Sequence, residues 1–415
     1  MTSSPLSRPL QGFRVLDLTV ALAGPYCTSL LAGLGAEVIR IESPNGNDVA
    51  RLNPPFFGPE GFSPSGSEPE SLSLSTLARN RGKKCVGLNL KSEAGRKIFL
   101  DLVAKADLVV ENQSEGTIDR LGIGYAVARR INPRIVYASI EGLGEASPVP
   151  GLKATDIIVQ ALSGLADATG YADGPPQRIG LPVADLMAAH FALSGALSAL
   201  LQRSRTGQGQ HVRVSMLDAM VSILAMEHFD VLLAPDQPAR SGNHQNRIGP
   251  FGFFRARDGH VAIAAPSDKL AHALFAAMGA PELAKDPRFG TRGGRVTNAD
   301  MLVARIEEWT STLTAQEVTD SLNSAFSVPC APVRRVQEVL ADSGLLASGA
   351  LTRLEHPDLG PVPALGPGMP IRFSGAATGG DRPGVALGHD TARVLDDLLG
   401  IDAETLARLR ADGVV

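Results

Sequence analysis

The sequence predicts an α/β protein in which a doubly wound sheet occupies the first 150 residues and a second, smaller domain follows. Three observations carry that prediction. Short β-branched apolar runs alternate with helically spaced stretches through the first 150 residues. A break rich in proline and glycine, 235–252, separates this pattern from a compact stretch that ends near Pro332. The length of 415 residues, at roughly 100 to 200 residues per domain, leaves room for two or three cores.

Phe13–Leu18 is a short apolar run, Gly24-Pro25 breaks it, Tyr26–Leu34 has helical spacing, and Ala36–Ile41 alternates, which together read as β-α-β. Glu42 closes the unit where a dinucleotide fold would set an acid on a ribose. The turn Val20-Ala21-Leu22-Ala23-Gly24-Pro25 has one glycine where G-x-G-x-x-G needs three, so NAD binding is disfavoured. Residues 54–71, dense in Pro, Gly, Ser and Glu, read as an aperiodic surface excursion. Strands follow at Cys85–Leu90, Leu108–Glu111 and Ile135–Ile140, with a helix at Ala94–Val103. A helix over Asp185–Arg203, the turn Thr206–Gly209, a strand over Gln210–Ser215 and a helix from Met216 continue the series. The smaller domain holds a strand at Val261–Ala265 and a helix containing Trp309, and helix resumes from Asp390. No internal repeat is visible.

Composition excludes several classes. With 44% hydrophobic and 20% charged residues the chain is neither disordered, collagenous nor coiled coil. A formal charge of −4 gives no global basic field for nucleic acid or membrane. No stretch is expected to reach the roughly 18 apolar residues of a membrane span, and Met1–Pro9 lacks an export signal. Cys27, Cys85 and Cys330 lie too far apart in sequence for a metal or redox motif, which fits a reducing cytoplasm. The histidines and serines form no H-E-x-x-H and no G-x-S-x-G, so metal and triad hydrolysis lack their signatures.

Candidate chemistry rests on few residues. Asp185 precedes an apolar helical run and reads as its N-cap, and the same geometry keeps a carboxylate ionised and able to attack a carbonyl. Basic residues from Arg79 to Lys97 flank a strand, either as a phosphate cradle or as a solvated face. His190 reads as a packed core residue, and Cys27 either as an activated thiol or as a small core residue.

Several ordered motifs resemble the class III CoA-transferases of the CaiB/BaiF type. They include Val15-Leu16-Asp17-Leu18-Thr19 with Ala23-Gly24-Pro25, Leu34–Glu42, Lys84–Lys91 and Asp107–Gly122. Gln160–Gly164, Thr169-Gly170-Tyr171 and Gly174-Pro175-Pro176 then precede Asp185, and Thr206–Gln210 with Val214–Ala219 and Leu387–Thr391 complete the series.

That resemblance implies a Rossmann-like large domain (1–225), a small α+β domain with linkers (226–332), and a C-terminal segment returning to the large domain (333–415), in an interlocked homodimer. It implies that Asp185 is catalytic and that Leu22, Ala23, Leu88, Lys91, Asn112, Gln113, Ser114, Arg120, Lys153 and Asp156 hold CoA, which is substrate, with no permanent cofactor and no metal. Gly249 and Gly252 would belong to a substrate loop acting as a lid.

Three departures narrow the reading. Gln113 stands where an aromatic residue is usual, which implies different packing of the CoA base or pantetheine there. Asn243–Gly252 lacks the consecutive glycines of formyl-CoA transferases, which disfavours formyl or oxalyl transfer. Thr155, not histidine, precedes Asp156, which disfavours an α-methylacyl-CoA racemase. The resemblance therefore implies CoA transfer through aspartyl anhydride and aspartyl-CoA thioester intermediates. An acyl-CoA racemase and a noncatalytic acyl-CoA-binding regulator remain the alternatives. An aromatic content of 5% favours a small carboxylic or dicarboxylic acceptor, with succinyl-CoA as donor.

Overall fold

The computed structural model describes residues 7–46, 48–66, 68, 70–144, 152–227, 229–232, 236, 239–380 and 382–415. Contacts divide the chain into two units. The larger comprises Met1–Ser163, Leu181–Ile223 and Asp342–Val415, and the smaller Gly164–Gly180 and Leu224–Ala341. A contiguous division near residue 225 would have left 164–180 in the larger unit.

Six parallel strands form the larger unit's main sheet: β1 (Arg14–Asp17), β2 (Glu37–Glu42), β3 (Lys83–Gly87), β4 (Leu108–Glu111), β5 (Val136–Glu141) and β6 (His211–Ser215). Their order is β3-β2-β1-β4-β5-β6. The winding reverses between β1 and β4, and in such sheets ligands usually bind beyond the carboxyl ends of the strands at that reversal. Leu16, Ile39, Val86 and Val109 are buried at the sheet's centre, as strands covered on both faces require.

Among the helices, α1 (Ala23–Gly33), α2 (Leu74–Arg79), α3 (Glu93–Val103), α4 (Asp156–Leu162), α5 (Val183–Thr206) and α6 (Met216–Glu227) matter most to the site. The α5 helix corrects the membrane expectation, because its 24 residues are long and apolar enough to span a bilayer by length and composition. Its buried stripe, Ala188, Ala189, Ala192, Ala196 and Ala199, instead packs on β5 and β6 as a core helix. Small side chains set that close approach. A Cβ added at Gly195 would lie 2.6 Å from Val212 Cγ1.

The segment 54–71 is not aperiodic. Phe56–Gly58 pairs antiparallel with Gly61–Ser63 and Leu72–Ser73 in a small sheet. These strands are too short to show a period in sequence.

The basic cluster is mostly spent on structure. Lys83 is fully buried, its ammonium donating to Asp17 (2.9 Å), Pro25 O (2.9 Å) and Thr28 Oγ1 (2.7 Å). Arg40, also fully buried, pairs with Asp48, lies 3.1 Å from Glu42 Oε1 and donates to Asn80 Oδ1 at 3.1 Å. Lys84 pairs with Glu37, and Lys97 with Asp101.

In the smaller unit, β7 (Phe251–Ala256), β8 (Gly259–Ala264) and β9 (Cys330–Pro332) form an antiparallel sheet in that order. Phe254, Phe275, Leu302, Ile306 and Leu322 make its core, and Trp309 lies on the helix Ala299–Thr310.

The chain's last helices, Thr391–Leu399 and Ala403–Ala411, close the larger unit. Val394, Leu395, Leu406 and Val414 join Phe99 and Leu102 of α3 in one apolar cluster. Asp390 Oδ2 accepts from Cys85 N at 2.9 Å, and Thr391 Oγ1 accepts from Gly87 N at 3.0 Å.

Candidate active site

Asp185 is not the N-cap. Helix α5 starts after Pro182, which has no side chain able to cap, and Asp185 is its third residue. The cap comes from another helix. Asp156, first residue of α4, accepts through Oδ1 from the backbone N–H groups of Ala184 (2.8 Å) and Asp185 (3.4 Å). Its Oδ2 accepts from Gln160 Nε2 at 2.6 Å, and Gln160 Nε2 also reaches Leu181 O at 3.3 Å.

The Asp185 carboxylate is largely buried, and its pKa is pushed up to about 6, first by desolvation and then by the negative charge of Asp156, against the pull of Arg79. No hydrogen bond to this carboxylate from a described residue offsets the burial. Near neutral pH it is ionised, less solvated than a surface carboxylate, and therefore a better nucleophile.

The turn between β1 and α1 is built to hold a fixed shape. Ala21 sits at φ 62°, a left-handed conformation that costs an L-residue about 1–2 kcal/mol. Its N–H donates to Asp48 Oδ1 (2.9 Å), and its carbonyl accepts from Arg79 Nη1 (2.8 Å). Asn112, just beyond β4, bonds both sides of Val20, with Oδ1 accepting from Val20 N (2.8 Å) and Nδ2 donating to Val20 O (2.9 Å). Gln113 Nε2 donates to Leu18 O at 2.7 Å.

Sequence-predicted Leu22, Ala23, Asn112 and Gln113 are thus brought together on one turn at the point where the strand order reverses. Leu88 is buried just after β3, and Lys91 is exposed three residues on. Ser114, Arg120 and Lys153 are exposed, and Arg120 Nη2 donates to Thr117 Oγ1 at 3.0 Å.

Residues 10–391 match the model of CoA-transferase family III. The chain belongs to that family. It is similar to the succinyl-CoA:mesaconate CoA-transferase of Haloarcula marismortui, with 37% identity over 402 residues covering 95% of this chain and 98% of that protein. The acetyl-CoA:oxalate CoA-transferase of Acetobacter aceti is 38% identical over 383 residues, 91% of this chain and 92% of the relative. The mouse succinyl-CoA:glutarate CoA-transferase is 32% identical over 412 residues, 98% and 90% of the two chains. Among solved structures, a CaiB/BaiF family protein from Brucella suis superposes with a TM-score of 0.80 at 34% identity, covering 94% of this chain and all of that one.

Within this family III CoA-transferase several sequence expectations are corrected. Glu42 serves no ribose: it is buried, with Arg40 3.1 Å and Arg51 2.6 Å away. Cys27 is no activated thiol, since burial first, and then the Asp17 charge, push its pKa up to about 12. His190 is exposed rather than packed in the core, Nδ1 lying 2.8 Å from Leu186 O and its ring edge-on to Tyr26 at 5.5 Å. Gly249–Gly252 is not an open loop. The Gly249 carbonyl accepts from the buried Arg295 at 3.2 Å, and Gly252 is paired in β7. A Cβ at Gly252 would lie 2.4 Å from Asn243 O, so this glycine forms a tight wall of a 740 Å³ open cavity in the smaller unit, with Asn243, His244 and Cys330.

Sequence reasoning missed Asp48 and Gln160 as neighbours of the site and read Arg79 only as part of a phosphate cradle or a solvated face, not as the charge that acts on Asp185. Pro182 before an uncapped helix, and the Asp156/Gln160 pair at i, i+4, were the available signals.

Proposed function

We propose that this CoA-transferase moves CoA from succinyl-CoA to a small dicarboxylic acid with Asp185 as covalent nucleophile. The observation that carries the reading is the largely buried, hydrogen-bond-poor carboxylate in the first turn of α5, whose ionised form is present near neutral pH. Each relative named above carries a dicarboxylic acid in its name, mesaconate, oxalate or glutarate, which favours a small diacid acceptor.

An Asp185 oxygen attacks the thioester carbonyl, the C–S bond breaks, and CoA thiolate leaves a mixed anhydride. The thiolate attacks the aspartyl carbonyl, donor carboxylate departs, and an aspartyl-CoA thioester remains. The acceptor carboxylate then attacks that thioester, expelling the thiolate. The thiolate finally attacks the acceptor's carbonyl in the second anhydride and regenerates the Asp185 carboxylate. Bonds made and broken are of like kind, so the exchange needs no ATP and no metal, but water must be kept from the anhydrides.

CoA would lie over the β1–α1 turn, against Leu22, Ala23, Leu88, Asn112 and Gln113, with Lys91, Ser114, Arg120 and Lys153 reaching its polar groups. The position of that turn at the strand-order reversal supports the assignment. Within the smaller unit, Gly252 is proposed as a substrate-contacting wall residue of the cavity and Gly249 as part of the segment that leads into β7.

A homodimer of interlocked chains is proposed with it. In the larger unit Ile157 and Leu162 of α4, Phe191 and Leu201 of α5, and Val221 and Ile223 of α6 are exposed, an apolar set suited to a second copy. Light scattering under dilution should return a dimer mass, and a monomer would overturn that part.

The chemistry is tested by incubating the protein with succinyl-CoA, quenching with hydroxylamine and mapping peptides by mass spectrometry. A hydroxamate on Asp185, together with CoA exchange between succinate and a panel of diacids, is expected. An adduct on another residue, or turnover with no adduct at all, would refute the nucleophile.

A further inference from the structure

We infer that Asp156 is a positioning residue for acyl transfer and not a CoA ligand: its carboxylate fastens the first turn of α5 and thereby fixes where the Asp185 carboxylate stands. The inference rests on the proposed role of Asp185 as nucleophile.

The first turn of any helix leaves backbone N–H groups without intrahelical acceptors. In α5 the residue before that turn is Pro182, which supplies no capping oxygen, while the Val183 N–H is taken by Leu181 O at 2.8 Å. The next two donors, Ala184 and Asp185, are both taken by Asp156 Oδ1. The other oxygen, Oδ2, is taken by Gln160 Nε2, one helical turn along α4. Gln160 is itself fully buried and ties back to Leu181 O, so the chain is held on both sides of Pro182. Oδ1 thus caps the turn that carries Asp185, and Oδ2 is held by the buried Gln160 side chain that ties back to Leu181 O, so the Asp156 carboxylate is committed to the start of α5.

Electrostatics act in the same place. Asp156 from α4 and Arg79 from α2 are the charged groups that act on Asp185, one against its ionisation and one for it. The other elements packed on α5 bring Tyr26 and Cys27 (α1), Tyr137 and Glu141 (β5), and His211 and Arg213 (β6). Of these Glu141 and Arg213 pair with each other, and none acts on the Asp185 carboxylate. A single acidic neighbour thus both anchors the nucleophile and keeps it basic.

The test compares wild type, Asp156→Asn and Asp156→Ala in succinyl-CoA-dependent transfer across pH 4.5–8.5, alongside calorimetric CoA binding and hydroxylamine trapping on Asp185. Asn keeps an oxygen for the Ala184 and Asp185 N–H groups, and the Gln160 amide can turn to meet it, so this variant should retain most of its kcat. Its acid limb should move down by about one pH unit as the neighbouring charge is lost. Asp156→Ala loses the cap, and its kcat should fall on the order of 10²-fold, with KM for the donor and the CoA Kd within about twofold of wild type.

CoA binding weakened tenfold or more with kcat preserved would make Asp156 a ligand and overturn the inference. A fall in kcat on the order of 10²-fold in a folded Asp156→Asn, which keeps the capping oxygen, would overturn it too, even if Asp156→Ala fails to fold. Absence of the Asp185 adduct in wild type would remove the nucleophile first and the inference with it. An adduct in wild type with wild-type kcat in a folded Asp156→Ala would sink the positioning role alone.

Discussion

Replacing Asp185 by asparagine should make the protein more stable while abolishing transfer. A carboxylate whose pKa rises from 3.8 to about 6 on folding is more easily ionised in the unfolded chain, so its charge opposes the folded state. The shift is roughly two units, and at about 1.4 kcal/mol per unit the penalty approaches 3 kcal/mol once the group is fully ionised. The sign follows from proton counts. Between pH 3.8 and about 6 this group is more protonated in the folded state than in the unfolded state, so its contribution to wild-type stability falls as pH rises through that window and levels off above it. Asp185→Asn lacks the term, keeps a polar side chain in the first turn of α5, and leaves the Asp156 cap in place. Urea titrations of both proteins should lie within about half a kcal/mol at pH 3.8, diverge through pH 5, and differ by about 3 kcal/mol at pH 7, with the variant more stable by roughly 3–4 °C in Tm. A variant equally or less stable than wild type at pH 7 would refute the claim that the folded protein holds this carboxylate against its preference. The same ionisation sets the wild-type acid limb, with transfer falling about tenfold per pH unit below 6.

Arg79→Met removes the charge that favours ionised Asp185, so the acid limb of transfer should move above 6, opposite to the direction expected for Asp156→Asn, and a downward shift would contradict the geometry. Asp17→Ala leaves the Lys83 ammonium buried and unpaired and should cost about 3–5 kcal/mol in chemical denaturation, whereas a loss below 1 kcal/mol would mean that water reaches the site. Gly209→Ala puts a Cβ 1.9 Å from the Ile135 carbonyl oxygen, a backbone atom that cannot step aside, and should cost about 2–3 kcal/mol in the same assay, with unchanged stability refuting the close approach.

The unit from Phe13 to Glu42 was legible in sequence because each element is long enough to show its own period, and β6 and α6 were legible for the same reason. The strands within 56–73 were not, since two or three residues cannot display an alternation. Asp185 was found by its place before an apolar run, but its capping role was misplaced. The acceptor that caps α5 is 28 residues away in the chain, and only the fold brings Asp156 to Ala184. Charge runs misled in a similar way. Lys83 reads in sequence as part of a phosphate cradle or a solvated face, yet its partner Asp17 comes from another segment, and a linear reading cannot pair residues across a parallel sheet.

The way the chain's end enters its beginning governs how this protein can be made. Leu88, Phe99 and Leu102 belong to a cluster completed by Val394, Leu395, Leu406 and Val414, roughly three hundred residues later. At ribosomal speeds of about 5–20 residues per second, the early strands wait some 15–60 s for those side chains, with an apolar face uncovered. The intervening smaller unit, whose apolar core among the described residues lies within 254–330, can fold during that interval. Expression yield should therefore respond to chaperone supply and to slower growth temperature more than to changes in the smaller unit, and a chain ending before Thr391 would expose the face permanently.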